Sequence, residues 1–263
     1  MAARAIWTGT LKLDSKRLPV KLYSAVEDQS IHFHILDART KSRVKQHMVH
    51  PDTGEEIASE DIRKGYEIEP GTFVLLEEDE LSSLQPKASR DIEVTRFVPS
   101  GHISHLWYDR PYYLGPDGET GDYFAFTQAL KETNAEGVAR WIMRNKSYAG
   151  ALRVNGDYLA LITLHHAEEV LSDRDLPAPR ARGLSEKELS MAGELVGALG
   201  DEFDLESFHD EYRDRVLDFI KAKAQGHKPR LHAAKTKRAT ASLERDLAKS
   251  LASLRSHKER KVA

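Results

Sequence analysis

Short apolar runs and strict alternation dominate the first two thirds of the chain. Ile6, Trp7, Leu11, Leu13, Val20, Leu22 and Tyr23 are broken by Gly9 and by Leu18-Pro19, the pattern of strands and turns. Ile31-His-Phe-His-Ile35 alternates residue by residue and predicts a half-buried strand. From 37 to 70 the large apolar residues thin out to Val44, Met48, Val49, Ile57, Ile62, Tyr66 and Ile68. So few cannot make a core, so this stretch is either disordered or an excursion held by something else. The pattern then predicts strands at 72–76, 91–98, 106–114, 137–144, 150–154 and 158–164, and helices at 78–84 and 123–133.

Many short strands with few helices imply a β-barrel or sandwich body ending near Val170. Asp173-Arg-Asp-Leu-Pro-Ala-Pro-Arg-Ala-Arg-Gly183 has linker composition, and beyond it the period changes to 3.6. Ser185 with Glu188 forms a capping box ahead of a stripe of Leu189, Ala192, Leu195, Val196 and Leu199. A second helix is expected after Asp204, with Phe208, Tyr212, Val216, Phe219 and Ile220 on one face. The piece from 226 to 238 is basic and structureless, and 241–256 fits a helix striped by Leu243, Leu247, Leu251 and Leu254.

Charge changes the picture more than composition does. The 263 residues carry a formal charge of −3, which suggests no polyanionic partner. That mean conceals a tail from 226 to 263 at +8, a remainder at −11, and a block from 184 to 219 at −8. Between 38 and 51 there is no acid, while Arg39, Lys41, Arg43 and Lys45 are basic. The absence of cysteine excludes a disulfide framework, a thiol nucleophile and a Cys-ligated metal, and fits a reducing compartment. No apolar run is long enough for a signal peptide or a membrane span, so a soluble cytoplasmic protein is expected.

Arg39-Thr-Lys41-Ser-Arg43-Val-Lys45-Gln-His47 is the most informative local feature. As an extended strand it would line up all five bases on one face, roughly 7 Å apart over about 27 Å. Such a row fits a polyanion, and its length exceeds the roughly 12 Å width of a major groove, so it would touch phosphates and not read bases. The same spacing also describes an edge strand guarded by Lys and Arg. In the tail, Lys228, Arg230, Lys235, Lys237 and Arg238 look like a nucleic-acid arm or a solvated end. The acidic helices should avoid a polyanion. Among the twelve histidines, the pairs His32/His34, His47/His50 and His165/His166 lack a third ligand, so no metal or other cofactor is expected. No hydrolase, nucleotide-loop or dinucleotide motif is present, and no catalytic residue is assigned.

Several segments together resemble the bacterial Ku family: Arg4-Ala-Ile-Trp-Thr-Gly-Thr-Leu11, Leu18-Pro-Val-Lys-Leu-Tyr-Ser-Ala-Val-Glu27, Phe33-His34, Gly54-Glu-Glu56, Ile62-Arg-Lys-Gly-Tyr-Glu67, Ile92-Glu-Val94, Phe97-Val-Pro99, Pro111-Tyr-Tyr-Leu-Gly-Pro116, Arg144-Asn-Lys146 and Ala151-Leu-Arg153, in family order. The resemblance covers roughly residues 3 to 220. It implies a mixed β and α fold: a Ku-type β-barrel core at 1–171 with a DNA-encircling bridge at about 37–70, a linker at 172–184, a helical C-terminal region at 185–225 and a basic tail at 226–263. It also implies a non-enzymatic, ring-shaped homodimer that binds double-stranded DNA ends without sequence preference and recruits the multifunctional ATP-dependent DNA ligase of non-homologous end joining, in a cytoplasmic, nucleoid-associated setting.

Under that resemblance Arg39, Lys41, Arg43 and Lys45 with His47 are expected on phosphates, then Arg63 and Lys64, then Arg4, Lys16, Arg17, Arg140 and Arg144 from the barrel, with the tail bases. The von Willebrand-like and extra C-terminal domains of eukaryotic relatives are not matched, so their functions do not carry over. Some bacterial relatives place cysteines near Met48-Val-His-Pro-Asp-Thr-Gly54; this chain has none, and no zinc is expected there. Two competing readings remain open: a general double-stranded nucleic-acid-binding or RNA-binding barrel without end preference, and a His/Asp nuclease.

Overall fold

The computed structural model describes residues 3–177, 183, 185–199 and 203–226. The chain divides into two compact units, Met1–Asp175 and Leu176–Ala263.

In the first unit seven strands close a barrel: β1 (Trp7–Leu13), β2 (Lys16–Ser24), β5 (Asp91–Pro99), β6 (Tyr108–Pro116), β7 (Ala135–Met143), β8 (Lys146–Asn155) and β9 (Tyr158–Leu164). Their order around the wall is β1-β2-β6-β9-β8-β7-β5. All neighbours are antiparallel except β1 and β5, whose parallel pairing of Leu11 with Ile92 shuts the ring. Alternation fills the interior: Leu18, Val20 and Leu22 of β2 are buried while Arg17, Pro19 and Lys21 point outward. Leu11, Ile92, Leu114, Leu152, Leu159 and Leu161 complete the core.

Local chemistry makes the turns. Arg144 and Asn145 both have positive φ, 50° and 61°, between the paired Met143 and Lys146, which is the backbone a two-residue hairpin needs. Helix α2 (Gly121–Thr133) stops at left-handed Asn134. It inserts Tyr123 and Leu130 into the core, and the Tyr123 hydroxyl donates to the Leu114 carbonyl while accepting the Leu159 N–H at 2.8 Å.

A buried carboxylate fixes the start of the β5–β6 loop. Glu136, 1% exposed, accepts from Ser100 Oγ and Gly101 N–H at 2.9 Å each and from the Tyr108 hydroxyl at 3.0 Å, and lies 3.3 Å from the Arg153 guanidinium. Burial, and then the bond to Glu136, push the Tyr108 phenol up from its ordinary range. Glu136→Gln places an amide among four donors, and a loss of about 3 kcal/mol is expected. Urea unfolding checks this; a midpoint unchanged from the parent would mean that the carboxylate charge is not needed there.

Between Ser24 and Asp91 the chain contributes no strand to the barrel. It holds a two-stranded sheet of β3 (Lys64–Glu69) and β4 (Thr72–Leu76), then α1 (Glu78–Ser83), capped by the reciprocal Glu77–Glu80 box. The sequence pattern missed β3, because its only large apolar residues are Tyr66 and Ile68. The stretch 37–70 lies within this excursion. Ile31–Ile35 is not the half-buried strand that its alternation predicts: the segment lies outside the barrel, with Phe33 71% and Ile35 61% exposed.

The second unit contains α3 (Glu186–Leu199) and α4 (Glu211–Ala224). The Ser185–Glu188 capping box forms as read. The second helix does not follow Asp204 directly. Asp204 caps a single 3-10 turn, Leu205–Ser207, and α4 begins at its own cap, Asp210, leaving Phe208 outside the helix. Neither helix buries a residue, so their apolar stripes are not the packed faces that the periodicity implies.

Candidate nucleic-acid interface

The acid-free basic segment sits in the excursion, and its geometry departs from the single strand drawn from the sequence. Leu36 and Arg43 form an antiparallel bridge, flanked by the Asp37 N–H to Ser42 carbonyl bond at 2.9 Å and the Val44 N–H to Ile35 carbonyl bond at 3.2 Å. Asp37 causes the reversal: its carboxylate accepts the Arg39 N–H at 2.8 Å and the Thr40 N–H at 3.4 Å, and these bonds hold its carboxyl below the usual carboxylate range. Lys41 takes a left-handed φ of 56°. Arg39 and Lys41 are therefore on a turn, and only Arg43, Lys45 and His47 continue along one arm. The five-base ridge is replaced by a cationic hairpin tip with one basic arm.

A second hairpin follows. Val49 bridges Glu56, the Ile57 N–H reaches the Met48 carbonyl at 2.9 Å, and Gly54 turns with φ 72°. His47 Nδ1 contacts the Glu56 carboxylate, so one of its ring nitrogens is already engaged within the chain. Arg39, Lys41, Arg43 and Lys45 are exposed and, among the described residues, have no acidic partner. They are free to meet an external anion.

The other predicted bases divide. Arg63 is held by Glu77 at 2.8 Å and by the Glu60 carbonyl at 2.5 Å, whereas Lys64 opens β3 exposed. Lys16 pairs with Asp122 at 2.5 Å, and both Arg17–Asp91 bonds, 3.0 and 3.2 Å, come from one guanidinium nitrogen. These charges are engaged on the barrel wall. Arg4 is exposed; Arg140 borders an outer cleft of about 480 Å³ with Lys12, Asp91, Glu93 and His166. Arg144 sits in the β7–β8 turn, beside a smaller cleft of about 380 Å³. Lys228, Arg230, Lys235, Lys237 and Arg238 lie outside the described residues. Among the described residues no group of three or more His, Asp or Glu side chains gathers as metal ligands would.

The excursion also exposes apolar side chains. Phe33, Ile35 and Val44 flank the basic hairpin, and Tyr66, Ile68, Phe73, Val74 and Leu75 are open on β3 and β4. An isolated two-stranded hairpin is marginal in water, so this sheet is a surface that lacks a cover within the described chain.

A closed seven-stranded barrel with a long cation-bearing excursion inserted after its second strand defines the class of protein. The family model described as the Ku70/Ku80 beta-barrel domain matches residues 13–191. A protein of Geotalea uraniireducens called non-homologous end joining protein Ku 2 is 36% identical over 242 residues, 92% of this chain and 94% of its own length. Proteins called non-homologous end joining protein Ku from Coxiella burnetii and Archaeoglobus fulgidus are 35% and 32% identical, each over 85% of this chain and over 83% and 89% of their own lengths. The chain belongs to the Ku family.

Proposed function

We propose that this chain is a non-catalytic double-strand-break end-binding protein of non-homologous end joining, acting at the nucleoid. Two copies close a ring, and the excursion of each lays Arg39, Lys41, Arg43 and Lys45 on the sugar-phosphate backbone of duplex DNA without reading bases. The observation that carries the reading is the exposed hairpin whose cations have no acidic partner among the described residues. Four like charges held close together are stabilised by a polyanion, which gives up condensed counterions in exchange. The names of the relatives supply the pathway. The open apolar residues of the β3–β4 hairpin support a second copy as cover, arranged with two-fold symmetry. The unburied stripes of α3 and α4 support a docking surface for the end-joining ATP-dependent DNA ligase.

Arg43→Ala combined with Lys45→Ala is expected to shallow the slope of log affinity against log salt by about 1.8 per chain, at about 0.9 for each lost phosphate contact on duplex DNA. Arg17→Ala, whose guanidinium already serves Asp91, is expected to leave the slope near the parent's. A slope unmoved by the double substitution would remove the hairpin from the interface.

A further inference from the structure

The hairpin that closes at Leu36 and Arg43 gives a role to two residues that the DNA-binding reading leaves out. Directly opposed residues of an antiparallel pair project to the same face, and faces alternate along each arm. Continued past its last hydrogen bond, Val44 N–H to Ile35 carbonyl, the register of the Leu36–Arg43 pair would set His34 opposite Lys45 and His32 opposite His47. Both histidines then share a face with Arg43, while Phe33, Ile35 and Val44 take the other. His32, His34, Lys45 and His47 are all exposed.

We propose that His32 and His34 are proton-linked phosphate ligands of this hairpin, so that affinity for duplex DNA is set by pH as well as by salt. The inference rests on the reading of the hairpin as the DNA-facing surface. A neutral imidazole offers one N–H donor and no charge; a protonated one offers two donors and a full charge. A phosphate beside it favours the protonated form, so binding takes up protons. In that register Arg43 and Lys45 share the face of His34 and bring no carboxylate to it, so a DNA phosphate would be the anion it meets there. His32 already faces Asp28, whose carboxyl the hydroxyl and backbone N–H of Ser30 hold below the ordinary range. His47 is engaged by Glu56, and His50 lies 3.9 Å from Asp52. His34 therefore carries the larger share of the linkage and His32 the smaller.

The sign follows from linkage. The pKa of a phosphate-bound imidazole is raised, so the added affinity is fully present below the free value of about 6.5 and is lost as pH rises through the bound value. A blunt linear duplex titrated at about pH 6 and about pH 8 at fixed ionic strength tests this, with the parent, His32→Gln/His34→Gln, and His102→Gln/His105→Gln from the β5–β6 loop. From the higher to the lower pH the parent is expected to gain about sixfold in affinity per linked histidine for a one-unit rise in pKa. Its salt slope should steepen by about 0.9 per protonated histidine. The His32/His34 variant should lose that gain while keeping the parent's affinity and slope at the higher pH, and the His102/His105 variant should behave as the parent. A His32/His34 variant that follows the parent's pH profile overturns the proposal and leaves DNA binding by the hairpin intact, as does a parent that binds with a steep salt slope but no pH dependence. Loss of salt-dependent binding at both pH values overturns the DNA reading and this inference together.

Discussion

A closed circular duplex is expected to escape a protein that holds the same DNA tightly once the circle has been cut. The excursion from 25 to 90 contributes no strand to the barrel, presents at its first hairpin cations that have no acidic partner among the described residues, and exposes the β3–β4 hairpin to cover by another chain. If two such arms meet around a duplex, the DNA enters only by threading from an end, and a circle has none. What remains on the circle is the sequence-independent attraction of basic side chains for phosphate, with dissociation constants of about 10⁻⁴–10⁻⁶ M at physiological salt. Competition between circular and linearised forms of one plasmid measures the difference directly. Equal affinity would defeat the ring while leaving backbone binding in place, the outcome that a barrel coating nucleic acid without regard to ends predicts.

A large loss of stability is expected from Tyr123→Phe. The ring is 1% exposed, and its hydroxyl joins α2 to two barrel strands by donating to the Leu114 carbonyl and accepting the Leu159 N–H. Burial pushes the phenol up from its ordinary pKa, which keeps the proton available to donate. Phenylalanine fills the same space but leaves a backbone carbonyl and a backbone N–H without this partner, at about 1–3 kcal/mol for each group. A loss of about 3 kcal/mol, or about 6–12 °C in thermal midpoint, is expected by calorimetry. A variant within about 0.5 kcal/mol of the parent would show that both groups are satisfied in another way. Below its midpoint the variant should keep the parent's salt slope on DNA, because Arg39, Lys41, Arg43 and Lys45 lie on the excursion and not on α2 or the two strands it joins.

Local pattern carried much of the fold. The strands expected at 72–76 and 158–164 have those bounds as β4 and β9, and the capping box at Ser185–Glu188 forms where short-range spacing put it. Ile31–Ile35 shows the limit of such reading. Alternation states that two faces differ; it does not say that either is buried, and here the face of Phe33 and Ile35 is open. The basic ridge fails for a related reason. Period two presumes a continuous strand, whereas the Asp37 carboxylate turns the chain within three residues and parts Arg39 and Lys41 from Arg43 and Lys45. The signal for the turn was present in Asp37, a residue type whose side chain bonds the backbone two residues on, ahead of Ala38, Arg39 and Thr40, but the row of cations outweighed it.

The sequence by itself determined that the body is strand-built, that the stretch from 37 to 70 cannot form its own core, that cations gather where acids are absent, and that the ordered motifs are those of the Ku family. Each of these depends on residue type and short-range spacing, which a single chain displays in full. Tertiary structure alone decided that the parallel β1–β5 pairing closes the barrel, that Lys16, Arg17 and Arg63 have their charges taken up by Asp122, Asp91 and Glu77, and that Arg43 comes opposite Leu36. Those outcomes rest on partners brought together by folding, 81 positions apart for Leu11 and Ile92 and 106 for Lys16 and Asp122, and the strength of an electrostatic contact depends on distance in space and not on order along the chain.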